Sequence, residues 1–123
     1  MANSTKILII VLFLVLIFQG NGTCLPSDIS VRQAQTGIMV KGKSEWSVTV
    51  INKCECGQKN VILSCPGFQT VEYIDLLVLT PSIGTGYCLI KPGQIIYKDV
   101  VNFKYAWDYS FSFNPISSQS TCS

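Results

Sequence analysis

The stretch "EWSVTVINKCECGQKNVILSC", Glu45 to Cys65, carries two signals at once. In its first part Trp46, Val48 and Val50 fall on one side and Ser47 and Thr49 on the other. This period of two marks a strand with one buried face. Its second part, from Asn52, packs three cysteines into fourteen residues. A zinc site favours thiolates at C-x2-C spacing, often with histidine. Here the spacings are C-x-C and C-x8-C, and the chain has no histidine. A redox pair favours C-x-x-C beside a βαβ pattern, and neither feature is present. The cysteines therefore read as cross-links.

There are six of them: Cys24, Cys54, Cys56, Cys65, Cys88 and Cys122. An even count in a small exported domain predicts a disulfide framework. Six cysteines allow 15 connectivities. A bridge between Cys54 and Cys56, across one residue, is strained. Spacing does not choose among the rest, although Cys24 and Cys122, at the two ends, invite a closing bridge.

Export is read from the N-terminus. Lys6 precedes "ILIIVLFLVLIF", Ile7 to Phe18, an uncharged apolar run of twelve residues. A helical membrane span needs roughly 20 such residues. A basic start, a short apolar run and small residues after it describe a secretory signal peptide. The expected organisation is a leader over residues 1–22, cut after Gly22, and one secreted cysteine-rich β domain over residues 23–123, extracellular and without a membrane anchor. The sequon "NGT" at Asn21 straddles the cut and carries a glycan only if cleavage precedes it. The chain has nine Lys and Arg, one of them Lys6, against seven Asp and Glu. That balance lacks the basic stripe a nucleic-acid backbone demands.

Outward from the opening stretch, turn signals recur every eight to twelve residues or so, the spacing of an all-β sandwich or barrel. "DISVRQ" (Asp28–Gln33) is a first strand, and "NVILSC" from Asn60 is short, apolar and central. "VEYIDLLVL" from Val71 fits strand or irregular structure. "TPSIGTG" (Thr80–Gly86) is a loop by its proline and glycines, and "YCLI" resumes extended structure. "KPGQ" (Lys91–Gln94) is a tight turn with Gly93 at positive φ. "VVNFKYAW" alternates Val101, Phe103 and Tyr105 against Asn102 and Lys104. "YSFSFN" alternates Tyr109, Phe111 and Phe113 against serines. The two predict a hairpin turning at Trp107-Asp108, with a serine-rich tail after it.

Catalysis finds little to work with. General acid–base chemistry most often uses histidine, and there is none. Glu72 and Asp75 are close in sequence, but two surface acids are more often solvated than catalytic. "GTG" (Gly84–Gly86) lacks the lysine and the strand-to-helix setting of a phosphate loop. No cofactor or metal is expected. For binding, Trp107 and Tyr109 at the predicted hairpin tip are candidate anchors for a partner, or else they cap the core. Lys41 and Lys43 in "KGK" are candidates to meet an acidic receptor face or a wall polymer, or else form a solvated loop.

Beyond these local readings, the six cysteines occur in a fixed order with other residues. They stand with Asp28-Ile29, Val50 and Asn52 before Cys54, Phe68 after Cys65, Cys88-Leu89, and Phe103-Lys104-Tyr105-Ala106. The pattern, from Cys24 to Cys122, resembles the plant tapetum determinant family of small secreted proteins. This chain looks like a plain paralogue. It lacks the longer extension of the founding members before the domain, and its second and third cysteines are closer together. The resemblance implies an extracellular signal: a ligand for the ectodomain of a leucine-rich-repeat receptor kinase, acting in tapetal cell fate in the anther. The competing expectation is a carbohydrate-binding or defence protein docking wall polysaccharide through exposed aromatics.

Overall fold

The alternation in Glu45–Asn52 is realised as the middle strand of a three-stranded sheet. The structure is a computed structural model that describes residues 23–82 and 84–122; the expected leader, its cut after Gly22 and the sequon at Asn21 lie outside the described residues. A short 3-10 turn, Pro26–Asp28, leads into β1 (Ile29–Val40). There follow β2 (Lys43–Asn52), β3 (Gln58–Ser64), β4 (Leu79–Ser82), β5 (Tyr87–Ile96), β6 (Val100–Trp107) and β7 (Asn114–Ser120). One sheet has the order β1-β2-β6 and the other β4-β5-β3-β7, with all pairings antiparallel. The architecture is an all-β, disulfide-braced pair of sheets. Among the described residues no helix is long and apolar enough to cross a membrane.

The sheets meet through the faces that alternation predicts. Val48 and Val50 of β2 and Val101, Phe103 and Tyr105 of β6 pack with Val61 and Leu63 of β3 and Cys88, Ile90 and Ile96 of β5. Each apolar side chain buried this way contributes about 1.5–3 kcal/mol relative to exposure. Phe68 stands at the centre of an aromatic cluster. Its ring centroid lies 5.4 Å from Tyr105, 5.3 Å from Phe111 and 5.4 Å from Phe113, each pair edge-to-face, the arrangement that ring quadrupoles favour.

Three disulfides brace this body: Cys24–Cys54, Cys56–Cys122 and Cys65–Cys88. The closing bridge between Cys24 and Cys122 does not form. Cys54 and Cys56 each take one chain end instead, so the two ends are tied to the same loop rather than to each other. That loop is also saturated with hydrogen bonds. The Asn52 amide donates to Cys56 O (3.0 Å) and Ile96 O (2.8 Å), and its Oδ1 accepts from Cys54 N (3.0 Å) and Gln58 Nε2 (3.1 Å). Ser118 Oγ in turn donates to Gln58 Oε1. Gly57 precedes Gln58 at a point where a Cβ would collide with Ile95 Cγ2 and crowd the Tyr97 ring. Only glycine fits there without a shift.

Three other expectations are corrected. "YSFSFN" does not pair with β6. Residues 108–113 cross to the second sheet, where the serine-rich tail becomes β7 beside β3. Phe111 and Phe113 still point inward, because alternation encodes a buried face but not the neighbour that covers it. "KPGQ" is a bulge inside β5, not a link between strands. Ile95 pairs with Lys59 and Ile90 with Val61, so four residues of β5 loop out opposite Asn60 alone. Gly93 does take positive φ, 76°, and Lys91 does so too, at 44°. Thr80–Ser82 is not loop but part of β4, with Pro81 tolerated because β4 is an edge strand. "VEYIDLLVL", read as strand or irregular, is irregular until Leu79.

Candidate functional site

The predicted binding residues gather at the end of the sandwich opposite the cysteine loop, where β2 begins and β6 ends. Ser44 and Trp107 are paired across these strands, which sets Lys43 beside the indole. The Lys43 ammonium lies 5.2 Å from the Trp107 ring centroid and donates to both carboxylate oxygens of Asp108 at 2.8 Å. Trp107 is half-buried and packs on the core. Tyr109 is 58% exposed with its ring 5.2 Å from Phe111. Lys41, exposed at φ 49°, occupies the β1–β2 turn two residues before Lys43. The structure thus joins Lys43 to Trp107, with no hairpin tip involved. Lys43 is already neutralised by Asp108. Both partners are solvated, so the pair adds only about 0.5 kcal/mol and serves mainly to hold the ammonium against the ring.

A second cluster at this end escaped sequence reasoning. The segment from Thr70 to Val78 lies along the free edge of β6. Val71 N donates to Ala106 O (3.0 Å), and Ala106 N donates to Thr70 Oγ1 (3.0 Å). Glu72 is thereby set against Glu45 of β2, the residue paired with Ala106, with the two carboxyl groups within hydrogen-bonding reach. Burial, then the hydrogen bond and charge of Glu45, push the Glu72 carboxyl up to about 7. Glu45 is held below the usual range by its hydrogen bonds with Glu72 and Thr36, the latter donating at 2.8 Å. Asp75, the neighbour that sequence spacing suggested for Glu72, uses Oδ1 to accept from Leu77 N at 2.9 Å. The segment also displays Tyr73 (84% exposed), Leu76 and Leu77 to solvent. The only sequence hint was a run of apolar residues without a consistent period.

Two further features were tested for chemistry. Ligand atoms of Cys24, Asp28 and Cys54 lie within 4.8 Å of one another. Both sulfurs belong to one disulfide and are not thiolate donors, while Asp28 Oδ2 accepts from Leu25 N at 2.8 Å. This group does not suit a metal. A cleft of about 480 Å³ beside the Cys65–Cys88 bridge is lined by Gly67, Gln69, Pro81, Gly86 and Tyr87. Its described lining includes no carboxylate or amine, so it offers no acid–base pair.

No curated protein and no solved structure matches the chain. The profile of the C-terminal part of tapetum determinant 1 matches residues 25–123, a span that takes in both sheets and all three disulfides apart from Cys24 itself. With that match over most of its length, the chain belongs to the tapetum determinant 1 family.

Proposed function

We propose that this protein is a secreted signal that acts without turnover, as a ligand for the ectodomain of a leucine-rich-repeat receptor kinase, in tapetum and anther development. Membership of the tapetum determinant 1 family is the observation that carries this reading. Three disulfides in a small domain are typical of extracellular proteins, and the charged start and apolar run of the leader support export. The receptor-facing surface is placed at Lys41, Lys43, Trp107 and Tyr109. An indole pinned by a lysine, beside an exposed tyrosine, is the sort of rigid aromatic anchor that dominates protein interfaces.

The test is binding of the oxidised, secreted protein to leucine-rich-repeat receptor-kinase ectodomains of the anther. Saturable binding that survives excess pectin or cellulose is expected. Replacing Trp107 and Tyr109 by Ala weakens it about 30-fold or more, the loss of a hot spot. Retention on the polysaccharides with no ectodomain bound overturns the reading in favour of a wall-binding protein. Unchanged affinity in the double variant moves the surface elsewhere.

A further inference from the structure

We propose that Glu45 and Glu72 share one proton that latches the Thr70–Tyr73 end of this segment onto the free edge of β6, so that the display of Tyr73 depends on pH. The geometry carries this. Glu45 is 4% exposed, and Glu72 Oε2 is buried without a hydrogen-bond donor. Two carboxylates at such a site have no donor to offer each other and repel. One carboxylic acid facing one carboxylate supplies the missing donor in a charge-assisted hydrogen bond. A buried, unpartnered carboxyl oxygen otherwise costs free energy that the fold does not recover.

The surrounding groups leave the proton as the means of relief. Thr36 of β1 donates to Glu45, not to Glu72 Oε2. Among the described residues, Lys104 of β6 is the cation that acts on both carboxyls, and its field only partly offsets burial at Glu72. Lys43, two residues before Glu45 on β2, is committed to Asp108. Asp75, on the segment itself, is an acceptor for Leu77 N. Beyond this contact the segment is held to β6 by the two bonds at Ala106, to the core by Ile74 and Val78, and to β5 by Lys91 N donating to Val78 O at 2.9 Å. The Thr70–Tyr73 end lies ahead of these later anchors, so its opening can remain local.

The sign follows from proton linkage. Glu72 binds its proton more tightly latched than free, so the latch is favoured at mildly acidic pH and weakens as pH rises from the ordinary glutamate value through about 7. Each pH unit inside that window raises the opening equilibrium by up to tenfold.

Amide exchange of the oxidised protein, expressed as protection relative to the intrinsic rate, reads the latch directly. Between about pH 5.5 and about pH 8, protection of the Val71 and Ala106 amides is expected to fall about tenfold or more. That of Val48 and Leu63 in the core should hold. Glu72→Gln, whose amide donates to Glu45 at any pH, should keep Val71 protected throughout the range. If Val71 protection is as flat in the natural protein as in the variant, or equally steep in both, the latch is refuted. Should the variant not fold, carboxyl titration of the natural protein decides. One carboxyl of the pair changing state near neutrality supports the shared proton, and both ionising in the ordinary glutamate range refute it. Receptor binding plays no part in this readout, so the result stands apart from the proposed signalling role.

Discussion

β2 connects two ends of the molecule that are built on different principles. At its C-terminal end Asn52, Gln58 and the Cys54–Cys56 loop form a site where two disulfides converge and the Asn52 amide makes four hydrogen bonds. At its N-terminal end Trp46 packs on the core beside Tyr105, and Glu45 faces a segment held by a backbone bridge at Ala106 and a carboxyl pair. Both buried polar atoms that lack a partner among the described residues, Trp46 Nε1 and Glu72 Oε2, are at this second end. One end is covalently closed and polar-saturated. The other retains unmet polar groups and exposed apolar ones, and local opening is drawn from such regions. The lesson is a division of labour: a braced end sets the frame, and a less satisfied end is free to respond and to bind.

Substitutions can break that contrast. The largest effect is expected from removing the Cys56–Cys122 bridge by Cys56→Ser together with Cys122→Ser. It closes the longest loop, with a sequence separation of 66, worth about 4 kcal/mol by chain entropy. Denaturant unfolding should show the midpoint collapse; a loss below about 1 kcal/mol would mean that the polar network alone holds this end. Next comes Asn52→Ala. It strands the Cys56 and Ile96 carbonyls and the Gln58 amide in the interior, for about 3 kcal/mol, measured in the same way. The smallest of the three sharpens the view of the opposite end. Tyr105 OH donates to Gln33 Oε1 (2.6 Å) and accepts from Phe111 N (2.9 Å), tying β6 to β1 and to the crossover. Tyr105→Phe should cost about 2 kcal/mol, with exchange at the Phe111 amide rising more than at Cys54. Equal rises at both sites would show that the two ends open as one unit.

How much was legible in the residues differs by element. β2 and β6 were plain, because alternation of Trp46, Val48 and Val50, and of Val101, Phe103 and Tyr105, is a local property with one physical meaning. The role of the cysteines followed from their number and spacing, and the resemblance drawn from their order with Asp28, Asn52, Phe68 and Phe103 agrees with the family match. Phe111 and Phe113 alternate just as clearly, yet they line a crossover. Their segment would have had to pair with the edge of β6 that Thr70 and Val71 occupy. "KPGQ" was recognisable as a bend, but not as a bulge. The difference depends on β3 continuing past it on the far side. All four residues of the candidate surface were named from the sequence, but Trp107 and Tyr109 for a hairpin tip that does not form and Lys41 and Lys43 for a separate loop; that Lys43 joins Trp107 was not foreseen.

By itself the sequence determined that this chain makes a cross-linked β body with one apolar face per strand, since side-chain period and cysteine count are written along the chain. Which strands neighbour one another, which sulfurs pair, and that Glu45 comes to face Glu72 were decided only when distant segments came together. Those outcomes depend on competition for sheet edges and on the space left between packed faces, quantities that no local stretch contains.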